Sequence, residues 1–214
     1  MKKTGRWYII RIAIEQGAAK MKLYLIRHGQ TEANFHKTHS GWGDVMLTVM
    51  GKEQARRIGR VLEKIPFDKI YASDLSRARD TKELALPDAE YELCPMIKEI
   101  NVGTLAGRPV ADCVAEYGDE YIQNKKAVNY KPYGGESYEE FRSRVRSFLE
   151  MMENSPYEKV AAFCHGGFIH TALDVVMGKF NDRSTLVCGN CGVTVFEYDG
   201  KGWKLITWNY TGEL

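Results

Sequence analysis

Two histidines set beside glycines, with arginines and a carboxylate at separate places along the chain, hold the most chemistry in this sequence. His28 lies in Arg27-His28-Gly29-Gln30-Thr31 and His165 in His165-Gly166-Gly167. A neutral imidazole keeps a lone pair near neutral pH, so His28 can attack phosphorus as a nucleophile. Such an attack needs cationic or hydrogen-bonding groups on the equatorial oxygens of the phosphoryl group. Arg27 and Arg77 can grip those oxygens with planar guanidinium groups, in a bidentate manner closed to lysine. His165 can add a hydrogen bond, and Gly166 beside it lets backbone N–H groups approach an anion at a helix start. Asn34 offers a neutral amide donor, or alternatively caps a turn. A leaving alkoxide needs a proton, and Glu99 is the candidate donor, with Asp74, Glu90 and Glu92 as the other acids nearby in sequence. A phosphate dianion bound beside Glu99 would favour its protonated form through like-charge repulsion.

These side chains act together only if the fold brings them to one place. Residues 21–26, 68–72 and 159–164 are short apolar runs of the kind that form buried strands. A weaker strand-like run covers 91–94. From Thr48 the pattern turns helical, with Ala55, Ile58, Val61, Leu62 and Ile65 on one face and Pro66 as the stop. Ser73-Asp74 reads as the cap of a helix carrying Arg77 and Arg79. Ser137 and Glu140 form a capping box for an amphipathic helix running to about residue 152. Residues 104–135 read as a helical and looped excursion. Residues 193–198 and 203–208 form a hairpin turned at Asp199-Gly200. Strands alternating with helices predict an α/β three-layer sandwich, a mostly parallel central sheet with helices on both faces. In such sheets ligands bind at the carboxyl ends of the strands. Arg27-His28, Ser73 through Arg77 and His165-Gly166-Gly167 all follow strands at that edge.

Composition narrows the remaining choices. The chain has 214 residues, 44% hydrophobic and 27% charged, the balance of a globular protein. Residues 21–214 suit a single domain, and 1–20 read as an N-terminal extension to which no role is assigned. Within it, 8–14 is apolar but interrupted by Arg11 and too short to span a bilayer. Thirty basic and 28 acidic residues leave a net charge of +2, which argues against nucleic acid or a membrane surface as partner. Five scattered cysteines, an odd number without a secretory signal, point to reduced thiols and a cytoplasmic protein. Cys188 and Cys191 have CxxC spacing, but neither a second CxxC nor a histidine pair completes a zinc site, so two packed thiols are expected. No metal and no cofactor is called for.

Arg27 through Asn34, in the pattern RHGxTxxN, resembles the signature of the histidine phosphatase superfamily, also called the phosphoglycerate mutase-like family. Gly41-Trp42-Gly43-Asp44, Leu47-Thr48 and Gly51-x-x-Gln54-Ala55 are similar to the segment that follows it there. Ser73-Asp74-Leu75-Ser76-Arg77-Ala78-x-x-Thr81 resembles the second phosphate-binding motif, and this spacing selects Arg77 over Arg79. Glu99-x-x-x-Gly103-x-x-x-Gly107, Gly134-Gly135-Glu136-Ser137 and His165-Gly166-Gly167 complete the family order across 21–214.

The resemblance implies a metal-independent enzyme with a phospho-histidine on His28. Arg27, Arg77 and His165 would surround the phosphate, and Glu99 would act as acid and then base. Thr38 stands where mutase relatives often carry arginine. Mutases of the family also carry a longer insertion between the segments of Glu99 and Gly134, which here is short. The favoured expectation is therefore a phosphomonoesterase acting on a small phosphorylated metabolite, with phosphoglycerate mutase as the alternative. A metallo-hydrolase lacks its ligand cluster, and a non-catalytic binding module would leave nucleophile and acid without a purpose. His36 and His39 are read as surface-loop residues, His170 as facing helix interior or solvent, and Lys125, Lys126 and Lys131 as a solvated charge run.

Overall fold

The computed structural model describes residues 21–178 and 186–212, so the extension 1–20 lies outside the described residues. Six strands form one mixed sheet: β1 (Met21–Arg27), β2 (Lys69–Ala72), β3 (Glu92–Leu93), β4 (Lys159–Cys164), β5 (Val193–Tyr198) and β6 (Trp203–Tyr210). Their order is β3-β2-β4-β1-β5-β6. The first four of these neighbours run parallel, and β5 and β6 add an antiparallel edge. The helices are α1 (Glu32–His36), α2 (Val49–Leu62), α3 (Ser76–Ala85), α4 (Val110–Ala127), α5 (Tyr138–Glu153) and α6 (Gly166–Met177).

The three layers follow from alternation along the central strands. Leu23 and Leu25 of β1 face a core shared with Phe141, Val145 and Phe148 of α5 and Phe168 and Ile169 of α6. Ile26 turns to the opposite face, where it meets Ala55, Ile58 and Leu62 of α2 and Ala85 of α3. Each large apolar side chain buried this way contributes about 1.5–3 kcal/mol. Among the described residues no helix is long and apolar enough to cross a membrane.

Local signals explain most helix boundaries. The Thr48 hydroxyl accepts from the Gly51 N–H at the start of α2, which ends at Leu62, before Ile65 and Pro66 are reached. Ser137 and Glu140 form the reciprocal capping box of α5. The reading of Ser73-Asp74 as the cap of α3 is corrected: the N-cap is Leu75 and carries no side-chain cap. The Ser73 hydroxyl lies 2.9 Å from His165 Nε2 instead, and Asp74 pairs with Lys98 at 2.8 Å. The 91–94 strand shrinks to Glu92–Leu93, and β6 runs on to Tyr210.

The excursion consists of a 3-10 turn at Gly103–Leu105, then α4, then a second turn at Lys131–Tyr133. Helix α4 bends at Gly118, where φ is 55° and ψ −135°, a conformation glycine adopts without a Cβ penalty. Here the placing of His39 in a surface loop is also corrected. His39 is buried, its Nε2 lies 2.6 Å from the Tyr121 hydroxyl, and its ring meets those of Tyr121 and Tyr130. A ring contact of this kind was not readable from the polar residues around it. His36 is exposed as expected, and His170 packs 5.3 Å from the Trp208 ring. Lys125, Lys126 and Lys131 are exposed, and Lys131 pairs with Glu140. All five cysteines are free and buried.

Two outcomes follow from this packing. Helix propensity alone predicts that Gly51→Ala stabilises α2 by roughly 0.5–1 kcal/mol. A Cβ there would sit 2.0 Å from the Gln30 carbonyl oxygen, which demands a backbone shift. Denaturant titration should therefore show a loss of about 1–3 kcal/mol rather than a gain. Burial, and then the charge of Lys125, push the His39 imidazole down to about 4. The unfolded chain takes up a proton on His39 near pH 6.5 while the folded chain does not, so stability falls as pH drops from about 6.5 toward 4. The acid-side loss measured for the wild type should be visibly smaller in His39→Gln, and equal losses would contradict the assignment.

Candidate active site

The sheet register brings the two histidines together. Arg27, the last residue of β1, pairs with Cys164, the last of β4, so His28 and His165 leave adjacent parallel strands side by side. The His28 N–H donates to the Cys164 carbonyl at 3.0 Å, and the two imidazole rings lie 5.3 Å apart between centroids. Ser73 leaves β2 on the other side of β4, its N–H donating to the Phe163 carbonyl at 2.9 Å.

Hydrogen bonds orient both rings. His28 Nδ1 lies 2.8 Å from the Gly29 carbonyl, an acceptor, so Nδ1 carries the proton and Nε2 the lone pair. The Ser73 hydroxyl accepts from the Leu75 N–H and is hydrogen-bonded to His165 Nε2. His165 Nδ1 is a buried atom without a protein partner among the described residues. Burial first, then Arg77 and Arg27, hold the His28 imidazole well below its usual value. His165 is lowered in the same way, by burial, Arg77, His28 and Arg27. Both rings are thus neutral at neutral pH.

The arginines are anchored by carbonyl oxygens. Arg77 is fully buried, and its terminal nitrogens donate to the Gly41 and Gly43 carbonyls at 2.7 and 3.0 Å. Burial pulls it down to about 10, so it stays charged at neutral pH. Arg27 donates to the Cys188 carbonyl. Among the described residues the Nε atoms of both arginines are buried without protein partners, as is His165 Nδ1. Buried polar nitrogens are rarely left unsatisfied, so this group suits an incoming anion. Gly166 keeps that space open, since a Cβ there would come 3.2 Å from Arg27 Nε.

Glu99 joins this group from the loop after β3. Its Oε1 accepts from the Ile100 N–H at 3.0 Å and its Oε2 from the Gly167 N–H at 3.1 Å. The first turn of α6 therefore spends the Gly167 N–H on the carboxylate. A Cβ on Gly167 would overlap Glu99 Oε1 at 2.1 Å, so glycine is required for this approach. Of the two readings left open for Asn34, the turn accounts for its oxygen. Asn34 Oδ1 accepts from the Thr31 N–H at 3.2 Å in the capping box of α1 and from Asn190 Nδ2 at 3.1 Å. These bonds engage only the oxygen of the amide.

Asn190 escaped the sequence reading, which named Ser73, Thr81 and Cys191 without assigning them these contacts. Asn190 Nδ2 also donates to the His28 carbonyl at 3.1 Å, and the Cys191 N–H reaches the Arg27 carbonyl at 3.1 Å. The CxxC segment is therefore a turn that closes the back of the site, and its thiols are pushed up by burial, to about 11 for Cys188 and about 12 for Cys191. Thr81 accepts from the Gly29 N–H and donates to the Arg77 carbonyl, tying the His28 loop to α3. Ser73 orients His165. Nothing local marks Asn190, whose partner lies far away in sequence.

Comparison with known proteins agrees with this geometry. A family profile described as histidine phosphatase superfamily (branch 1) matches residues 23–211. The chain is 33% identical over 160 residues to 2,3-bisphosphoglycerate-dependent phosphoglycerate mutase 2 of Gloeobacter violaceus, covering 71% of this chain and 73% of that one. It is 30% identical over 162 residues to the adenosylcobalamin/alpha-ribazole phosphatase of Escherichia coli, covering 74% and 80%. The crystal structure of the alpha-ribazole phosphatase from Shigella flexneri superposes with a TM-score of 0.81 at 26% identity, over 89% of this chain and 97% of that one. With its motifs in order and its sheet carrying them to one edge, this chain belongs to branch 1 of the histidine phosphatase superfamily.

Proposed function

We propose that the chain is a metal-independent phosphomonoesterase that hydrolyses a small phosphorylated metabolite through a phospho-histidine on His28. The observation that carries this reading is the neutral His28 imidazole, its Nε2 lone pair free, beside three buried nitrogens of Arg27, Arg77 and His165 that lack protein partners. In the first step Nε2 attacks phosphorus, an N–P bond forms, and the P–O bond to the leaving group breaks. Glu99 hands its proton to the departing oxygen. In the second step Glu99 takes a proton from water, the water oxygen attacks phosphorus, and the N–P bond breaks to release inorganic phosphate. Arg27, Arg77 and His165 Nδ1 hold the equatorial oxygens throughout, with Gly166 leaving room for them and the Asn34 amine as a further donor. Arg77 and His165 are themselves buried, and such interactions are worth more there than in bulk water.

Hydrolysis is favoured over transfer by the short stretch between Glu99 and Gly134. The mutase reading draws on the Gloeobacter relative. Domain 21–214 would work in the cytoplasm without a cofactor and without nucleic acid or a membrane as partner.

Phosphate release from an aryl phosphate in excess chelator tests this directly. Wild type should turn over and His28→Ala should lose activity by at least about 1,000-fold, the scale of losing a nucleophile. Absence of release from the wild type, with transfer between phosphoglycerates instead, would establish the mutase. Ser73→Ala should leave the fold intact and lower kcat/KM by about 10–100-fold, because the His165 ring loses the hydrogen bond that orients it. An unchanged kcat/KM would show that His165 does not depend on Ser73.

A further inference from the structure

A second polar assembly stands directly behind Glu99. Arg144, on α5, uses all five of its N–H donors on one small region. Its Nε and one terminal nitrogen form a bidentate pair with Glu136, at 3.1 and 2.8 Å. The same terminal nitrogen donates to the Glu99 carbonyl at 3.1 Å, and the other donates to the carbonyls of Met96 at 2.9 Å and Lys98 at 2.8 Å. Glu136 Oε2 accepts in turn from the Asn101 N–H at 2.7 Å. The two side chains thus grip the backbone on both sides of Glu99. The Arg144 guanidinium lies over the Phe141 ring at 4.7 Å, which fixes its plane, and Trp42 Nε1 donates to the same Glu99 carbonyl at 2.7 Å.

A largely buried ion pair adds little net stability, because desolvation offsets much of the attraction. What this pair does supply is geometry. Among the described residues the Glu99 carboxylate is held by two hydrogen bonds, from the N–H groups of Ile100 and Gly167. Its position relative to His28 therefore depends on where the backbone from Met96 to Asn101 is held. Lysine could satisfy at most part of this set, since its three donors radiate from one point. Arg144 is also close enough to the site to be among the charges that act on His165.

We propose that Arg144, clasped by Glu136, is a positioning residue that sets Glu99 for proton transfer to the leaving group. The proposal rests on the assignment of Glu99 as the acid. It predicts a defect that depends on the leaving group, which a purely structural role would not produce. A nitrophenolate departs without protonation, whereas an alkoxide requires it. General acid catalysis contributes about 100–10,000-fold where it is needed.

The experiment compares kcat/KM, which reports the first chemical step, for nitrophenyl phosphate and for a simple alkyl phosphate ester. The variants are Arg144→Gln, Arg144→Lys and Glu99→Gln, each checked for folding by thermal melt. Arg144→Gln should lose about 30-fold or more on the alkyl ester and less than about 3-fold on the aryl ester, with KM little changed. Glu99→Gln should show the same pattern more strongly. If Arg144→Gln does not fold, Arg144→Lys is read by the same criterion. Equal losses on both esters in a folded Arg144 variant, with Glu99→Gln still selective, would overturn the proposal. Equal losses in Glu99→Gln would instead remove Glu99 as the acid, and the proposal with it.

Discussion

The site depends on the register of three parallel strands. Neighbouring strands lie about 4.8 Å apart, and the residues that follow them inherit that spacing. Because Arg27 pairs with Cys164 and Ala72 with Phe163, the next residues out, His28, His165 and Ser73, meet at one edge of the sheet. A slip of one residue would turn every side chain of β1 to the opposite face. Leu23 and Leu25 would then leave the α5–α6 core, so burial protects the register that the site needs.

Around this edge Arg27 and Arg77 concentrate positive charge, and among the described residues neither forms an ion pair with a carboxylate. Carbonyl oxygens of Gly41, Gly43 and Cys188 partly solvate Arg77 and Arg27, and Glu99 and Asp44 act on Arg77 from a distance. The two imidazoles stay neutral because burial and the guanidinium groups both oppose a further positive charge. This is the electrostatic state a nucleophile requires, and it comes from the same cations that would bind the phosphoryl oxygens. The tight approach of backbone at Gly29, Gly51, Gly166 and Gly167 keeps these groups close, and a methyl group at several of them would meet an atom of the site or its support.

The excursion after Glu99 is tied to the main core by aromatic side chains. His39 meets the rings of Tyr121 and Tyr130, and Tyr121, Tyr130 and Tyr133 join the same buried cluster as Phe141 and Phe148 of α5. The Met96–Asn101 backbone is held beside α5, where Arg144 takes up its carbonyl groups and Glu136 the Asn101 N–H. Glu99, the excursion and helix α5 are thereby joined through one stretch of backbone.

The sequence by itself determined the central strands, the α/β layering, the capping box of α5 and the family motifs that name the candidate site residues. Those features are written in short-range patterns: apolar runs, helical periodicity, and motifs in which His28, Arg77 and His165 each follow a strand. It left open whether Asn34 caps a turn, misread Ser73 as a helix cap and put His39 at the surface. Asn34 meets the Thr31 N–H three residues away, a local contact, whereas only the tertiary structure decided the other two, which depend on partners distant in sequence: His165 for Ser73 and Tyr121 for His39. The five-donor grip of Arg144 was equally invisible, since on a helix an arginine that faces solvent and one that meets a loop carry the same local signal. Chain topology brings such pairs together, and no periodicity along the chain records which buried donor will find which carbonyl.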